Sequence, residues 1–72
     1  MATERAIQYF KKLKSSEKKA LAKEAGLSLG GLRNIFYNGR VPSMETTLRI
    51  EKASGRRITR YDIAPSIDWT LL

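Results

Sequence analysis

Seventy-two residues suit one domain, residues 1–72, with a small core, because a chain of this length buries only about 60% of the surface its unfolded form exposes. The absence of cysteine excludes disulfides and thiolate metal sites, and the absence of histidine removes the commonest metal ligand and the side chain best suited to proton transfer near neutral pH. The expectation is therefore a protein without metal, cofactor, small-molecule substrate or enzymatic activity.

Fourteen Lys and Arg against seven Asp and Glu give a net charge of +7, unevenly placed. Residues 1–27 hold seven basic and three acidic side chains, residues 28–57 hold six and two, and the last fifteen hold Arg60 against Asp62 and Asp68. A basic body with a mildly acidic, apolar tail suits a polyanion-binding protein that uses its C-terminus for something else; a solvated basic surface is the plainer alternative. The apolar runs fall far short of the roughly 20 residues that span a bilayer, and nothing at the start resembles a signal peptide, so no membrane partner and a cytoplasmic location are expected.

Short helical patterns follow one another, each bracketed by capping residues. The first begins at Thr3 as N-cap, with Glu4 favourable to the helix dipole and Ala6, Ile7, Phe10 and Leu13 as its inner stripe. Ser15-Ser16 offers a cap for a second helix, Glu17 to Ala25, with Leu21, Ala22 and Ala25 inward and Gly26 as the left-handed terminator. Ser28 caps a third helix over 29–38, where Leu27 and Leu32 form a hydrophobic staple and Asn38-Gly39 the end. Pro42 and Ser43 precede a fourth, roughly Met44 to Ser54, whose stripe is blurred because Leu48 and Ile50 lie apart around it. A short fifth helix has Thr59 as N-cap, Asp62 as capping-box acid, Ile58 and Ile63 as staple, and Pro65 beyond its end. The tail, residues 67–72, reads as extended or irregular. The fold class is thus all-α, a compact bundle of about five short helices.

Lys18 to Phe36 is the informative stretch. Two helices crossing through a tight turn need a small residue where they touch, a glycine four positions on for positive φ, and apolar residues around both. Ala22, Gly26, Leu21, Ala25, Leu27, Leu32 and Ile35 fill those offsets, which predicts a helix-turn-helix. On the third helix, Leu29, Leu32, Ile35 and Phe36 gather on one side at about 100° per residue, and Gly30, Arg33, Asn34 and Tyr37 on the other. Arg bonds bidentately to guanine and Asn to adenine in the major groove, so Arg33, Asn34 and Tyr37 are candidate base contacts. Gly30 among them would let the backbone approach the groove. An outward face is also polar for no reason but solvent, and Tyr37 suits a helix edge equally well. The pair Gly30-Gly31 leaves open a helix start nearer Gly31.

These residues resemble the lambda-repressor-like family of phage and prophage regulators, particularly the small Cro and YdaS-type proteins. The resemblance covers about residues 4–68. It is carried by A-x-x-x-G-L at Ala22 to Leu27, N-G-R-V-P-S at Asn38 to Ser43, R-I-E-K-A-S-G at Arg49 to Gly55, and I-T-R-Y-D-I-A-P at Ile58 to Pro65. It implies a bundle of about five helices and operator binding, usually as a homodimer on double-stranded DNA. Where the family often has glutamine at the start of the second helix, Lys18 or its neighbour stands here. Where it often has polar side chains early in the recognition helix, Gly30 and Gly31 stand.

Candidate phosphate contacts are Lys18 and Lys19, Ser28 at the third helix's N-terminus, and Arg40 and Ser43 in the connection to the fourth helix, which in this family sits beside the DNA backbone. The reading is a DNA-binding transcription regulator, a Cro-like repressor of a phage or prophage acting in a bacterial host. A DNA-binding antitoxin component of a toxin–antitoxin pair is the alternative. The apolar tail with Trp69, Leu71 and Leu72 serves dimerisation, a partner, or a lid on the chain's own core.

Overall fold

The computed structural model describes residues 2–71, running α1 (Glu4–Lys12), α2 (Ser15–Ala25), α3 (Leu29–Tyr37), α4 (Met44–Ala53), α5 (Arg60–Ile63) and a 3₁₀ turn at Trp69–Leu71. The protein is all-helical, and no strand occurs among the described residues. No helix among them is long and apolar enough to cross a membrane.

Side chains close to the helix starts define all five boundaries. Thr3, Ser28 and Ser43 accept from the backbone N–H groups of Ala6, Gly31 and Thr46, and the Thr59 N–H donates to Asp62 Oδ2 at 3.0 Å. The second helix departs from expectation. It starts at Ser15, because Glu17 reaches back to accept the Lys14 N–H at 2.8 Å and makes Lys14 the N-cap residue. At its other end Gly26, with φ +73°, closes a Schellman motif in which the Leu27 N–H donates to Ala22 O and the Gly26 N–H to Lys23 O.

One core joins all five helices. Phe10 of α1 and Phe36 of α3 stack with ring centroids 4.5 Å apart, and Leu32, Ile35, Ile50, Ile58 and Ile63 are fully buried around them. The blurred stripe of α4 now has a cause. Its inward positions are Thr47 and Ile50, with the C-cap residue Ser54 beneath them, whereas Leu48 is only half-buried. Thr47 is tolerated there because its hydroxyl donates to Ser43 O at 2.8 Å, and Ser54 because its hydroxyl donates to Glu51 O at 2.7 Å. Fully satisfied, these hydroxyls are buried in a bundle where α4 packs against both α2 and α5.

Both ends of the chain meet at α5. The Thr3 N–H donates to Asp62 O, the Thr3 hydroxyl donates to Asp62 Oδ1, and Arg5 lies 4.0 Å from the same carboxylate. Desolvation opposes ionisation of Asp62. The Thr59 N–H and hydroxyl, the Thr3 hydroxyl and Arg5 outweigh it and hold the carboxyl below its usual range. The tail is not extended. After Pro65 it turns back and seats Trp69, only 6% exposed, with its indole N–H donating to Ala64 O at 3.1 Å and the Arg60 guanidinium 5.8 Å from its ring. Trp69 is a lid on the chain's own core. Leu72 lies outside the described residues.

Candidate nucleic-acid interface

The start of α3 decides which side chains point outward, and it is unambiguous. The Ser28 hydroxyl accepts the Gly31 N–H at 3.0 Å, so the helix begins at Leu29 and includes both glycines. With that register Leu32, Ile35 and Phe36 face the core, and Gly30, Arg33, Asn34 and Tyr37 are exposed, as their spacing predicts. The helix ends at Tyr37, with Asn38 as its C-cap residue rather than its last turn.

The two glycines differ in what they allow. A Cβ on Gly31 would stand 3.3 Å from the capping Ser28 oxygen, so a side chain there presses on the cap. A Cβ on Gly30 would meet only the same oxygen at 3.9 Å, an ordinary contact. Nothing inside the molecule requires Gly30 to lack a side chain.

Tyr37 is less free than its neighbours. Its ring packs edge-on against Phe10, centroids 5.4 Å apart, which anchors it at the α1 edge of the exposed face. Asn34 is held from its C-terminal side: its carbonyl accepts the N–H groups of Asn38 and Arg40, and its side-chain Oδ1 accepts Asn38 Nδ2 at 2.7 Å. Asn38, read from sequence only as a helix terminator, thus belongs to the exposed face; its spacing of four from Asn34 was the available signal.

Backbone geometry keeps Arg40 next to α3. Gly39 has φ +74°, and the Arg40 N–H closes on Asn34 O at 3.1 Å, so the Arg40 side chain leaves from the end of the helix. The remaining phosphate candidates divide. Ser28 accepts from Gly31 and keeps its own hydroxyl proton for an outside acceptor, beside the first N–H groups of a helix that lack intrahelical partners. Ser43 is committed internally, since its hydroxyl donates to Thr46 Oγ1 at 3.0 Å and accepts the Thr46 N–H. Lys19 is exposed, whereas Lys18 is half-buried with its ammonium 4.9 Å from the centre of the Phe10 ring.

The ion pairs among the described residues engage Arg5, Arg49 and Arg60. Arg33, Arg40 and Lys19 take part in none of them. Among the described residues no group of three or more Asp and Glu comes together to hold a metal ion, and no buried side-chain polar atom lacks a partner. No protein-family model, curated protein or solved structure matches the chain.

Proposed function

We propose that this chain is a sequence-specific DNA-binding transcription regulator, a repressor of the phage and prophage kind that its residues resemble, with α3 lying in the major groove. The observation that carries the reading is the outward face of α3. A guanidinium and an amide, which match guanine and adenine edges, stand on a helix fixed from behind by Leu32, Ile35 and Phe36. Arg40, Lys19 and the α3 N-terminus at Ser28 flank that face as phosphate contacts, which set register without reading sequence. Ser43 contributes as a helix cap, and Lys18 supplies charge while covering Phe10.

Two copies bind together on double-stranded DNA, with recognition helices about 34–36 Å apart. Their contact does not use Trp69, which the chain itself covers. An antitoxin component would need a partner-binding surface besides α3, and no observation favours that reading. The protein acts in the cytoplasm of a bacterial host.

Selection of bound sequences from a random duplex pool tests the proposal. On the selected site, Arg33→Ala or Asn34→Ala each loses about 1–3 kcal/mol and relaxes discrimination, while random-sequence binding barely changes. Arg40→Ala weakens selected and random DNA about equally. Parallel losses for Arg33→Ala and Asn34→Ala on both DNAs would remove base reading from α3. With about four to six basic contacts per subunit, log affinity against log salt should fall with a slope near −4 or steeper; a flat line refutes polyanion binding altogether.

A further inference from the structure

Between Lys11 and Lys19, where α1 turns into α2, stand five lysines and one acid, Glu17, whose Oε1 accepts the Lys14 N–H. One aromatic ring ties this corner to α3. Phe36 stacks on one face of Phe10, and the Lys18 ammonium, 4.9 Å from the ring centre, covers the other. The Tyr37 ring meets Phe10 edge-on, with centroids 5.4 Å apart. The Lys18 ammonium and the Tyr37 ring, each about 5 Å from one centre, are therefore no more than about 10 Å apart. The major groove is about 12 Å wide, so with Tyr37 in the groove this corner stands at its phosphate wall.

Two lysines of the corner are placed to use that position. Lys14 precedes Lys18 by one turn, the Lys18 N–H donating to Lys14 O at 2.9 Å, and residues four apart share a helix flank. Lys11 lies roughly 160° around α1 from Tyr9. Tyr9 faces a groove lined by Glu17, Ala53 and Arg57, so Lys11 leaves α1 on the flank away from α4. Both lysines are exposed, whereas Lys18 is half-buried. The other flank of α3 belongs to Arg40. It lines a small cavity with Ile35, and Ile35 lies roughly 160° around α3 from Tyr37.

We propose that Lys11 and Lys14 hold phosphates of the DNA strand across the major groove from the one Arg40 contacts, so that α1 as well as α3 engages the duplex. The inference rests on the reading of α3 as the recognition helix. A helix lying in the groove has one strand's phosphates on each flank, and the two flanks of α3 carry Arg40 and the lysine corner. Lys11 also favours the dipole of α1 from its last turn, a role independent of DNA.

Two double variants and a chemically altered duplex test this, at a temperature where circular dichroism melts show every variant fully folded. Lys11→Gln with Lys14→Gln makes the plot of log affinity against log salt shallower by about 1.8, as two lost phosphate contacts require, on selected and random DNA alike. Glutamine keeps the backbone N–H through which Lys14 meets Glu17. Lys52→Gln with Arg56→Gln removes the same charge from α4 and the loop beyond it, and leaves the slope unchanged. Uncharged methylphosphonate linkages, placed one at a time along both strands of the selected site, then locate the contacts. The lysine variant loses its sensitivity to them on one strand and Arg40→Ala on the other, because interacting groups are non-additive. Equal slope changes in the two double variants overturn the inference, leaving only net charge. Loss of sensitivity on the same strand for the lysine variant and Arg40→Ala overturns it as well. An unchanged slope in the lysine variant, with Arg33→Ala still relaxing discrimination, overturns it and leaves α3 as reader. If Arg33→Ala and Asn34→Ala leave discrimination untouched, the reading of α3 falls, and this inference with it.

Discussion

Gly30→Ala separates stability from function in this fold. The helix around Gly30 is regular, and a Cβ there meets nothing nearer than Ser28 Oγ at 3.9 Å, so alanine fits the free protein without displacing an atom. Alanine is favoured over glycine in a helix interior by about 0.8–1 kcal/mol, and somewhat less in the first turn, where Gly30 lies. A gain of about 0.5–1 kcal/mol corresponds to a rise in Tm of about 2–8 °C for a chain of this size. The added methyl projects from the same face as Arg33 and Asn34, where the backbone would approach a base pair. Affinity for the selected DNA site should therefore fall by about ten-fold, equivalent to about 1.4 kcal/mol, while the melting temperature rises. Thermal melts by circular dichroism and binding titrations on one preparation give both numbers. The neighbouring Gly31→Ala is the control, since its methyl would crowd the Ser28 cap at 3.3 Å and return little or no stability. A Gly30→Ala protein that is more stable and binds DNA as tightly as the parent would refute the argument that the missing side chain serves close approach to DNA.

Trp69→Ala should destabilise the fold by about 3–5 kcal/mol, a large share of the total for so small a domain, and urea unfolding with unchanged association in sedimentation would identify the indole as a lid. Asp62 gives a pH dependence with a definite sign. Its carboxyl titrates lower in the folded chain than in the unfolded one, so its contribution is complete above the unfolded value of about 4 and is lost as pH falls through the folded one. Urea midpoints measured from neutral to acid pH should drop at the acid end, and drop less steeply in Asp62→Asn, whose stability is already lower at neutral pH.

Much of this protein could be read in its sequence because helix ends are settled locally. A cap closes between residues three positions apart, and Ser28 with Gly31, Ser43 with Thr46 and Thr59 with Asp62 bond wherever the rest of the chain goes. The sidedness of α3 was legible for the same reason, since Leu32, Ile35 and Phe36 recur at helical spacing. The start of α2 was missed because Ser15-Ser16 looked like the natural cap, while Glu17 reaching Lys14 needs no capping hydroxyl. Other features leave no mark in a hydropathy pattern. Thr47 takes an inward position of α4 because its hydroxyl donates to Ser43 O four residues back, which satisfies the polar atom on burial. Lys18 covers Phe10 because α1 brings that ring beneath it. The destination of Trp69 was open between lid and interface, because an aromatic residue in a short tail buries equally well against its own chain or another. Tertiary structure decided it: Trp69 is only 6% exposed within its own chain, and its indole N–H is satisfied by the Ala64 carbonyl at the end of α5, which also accepts the Ile67 N–H.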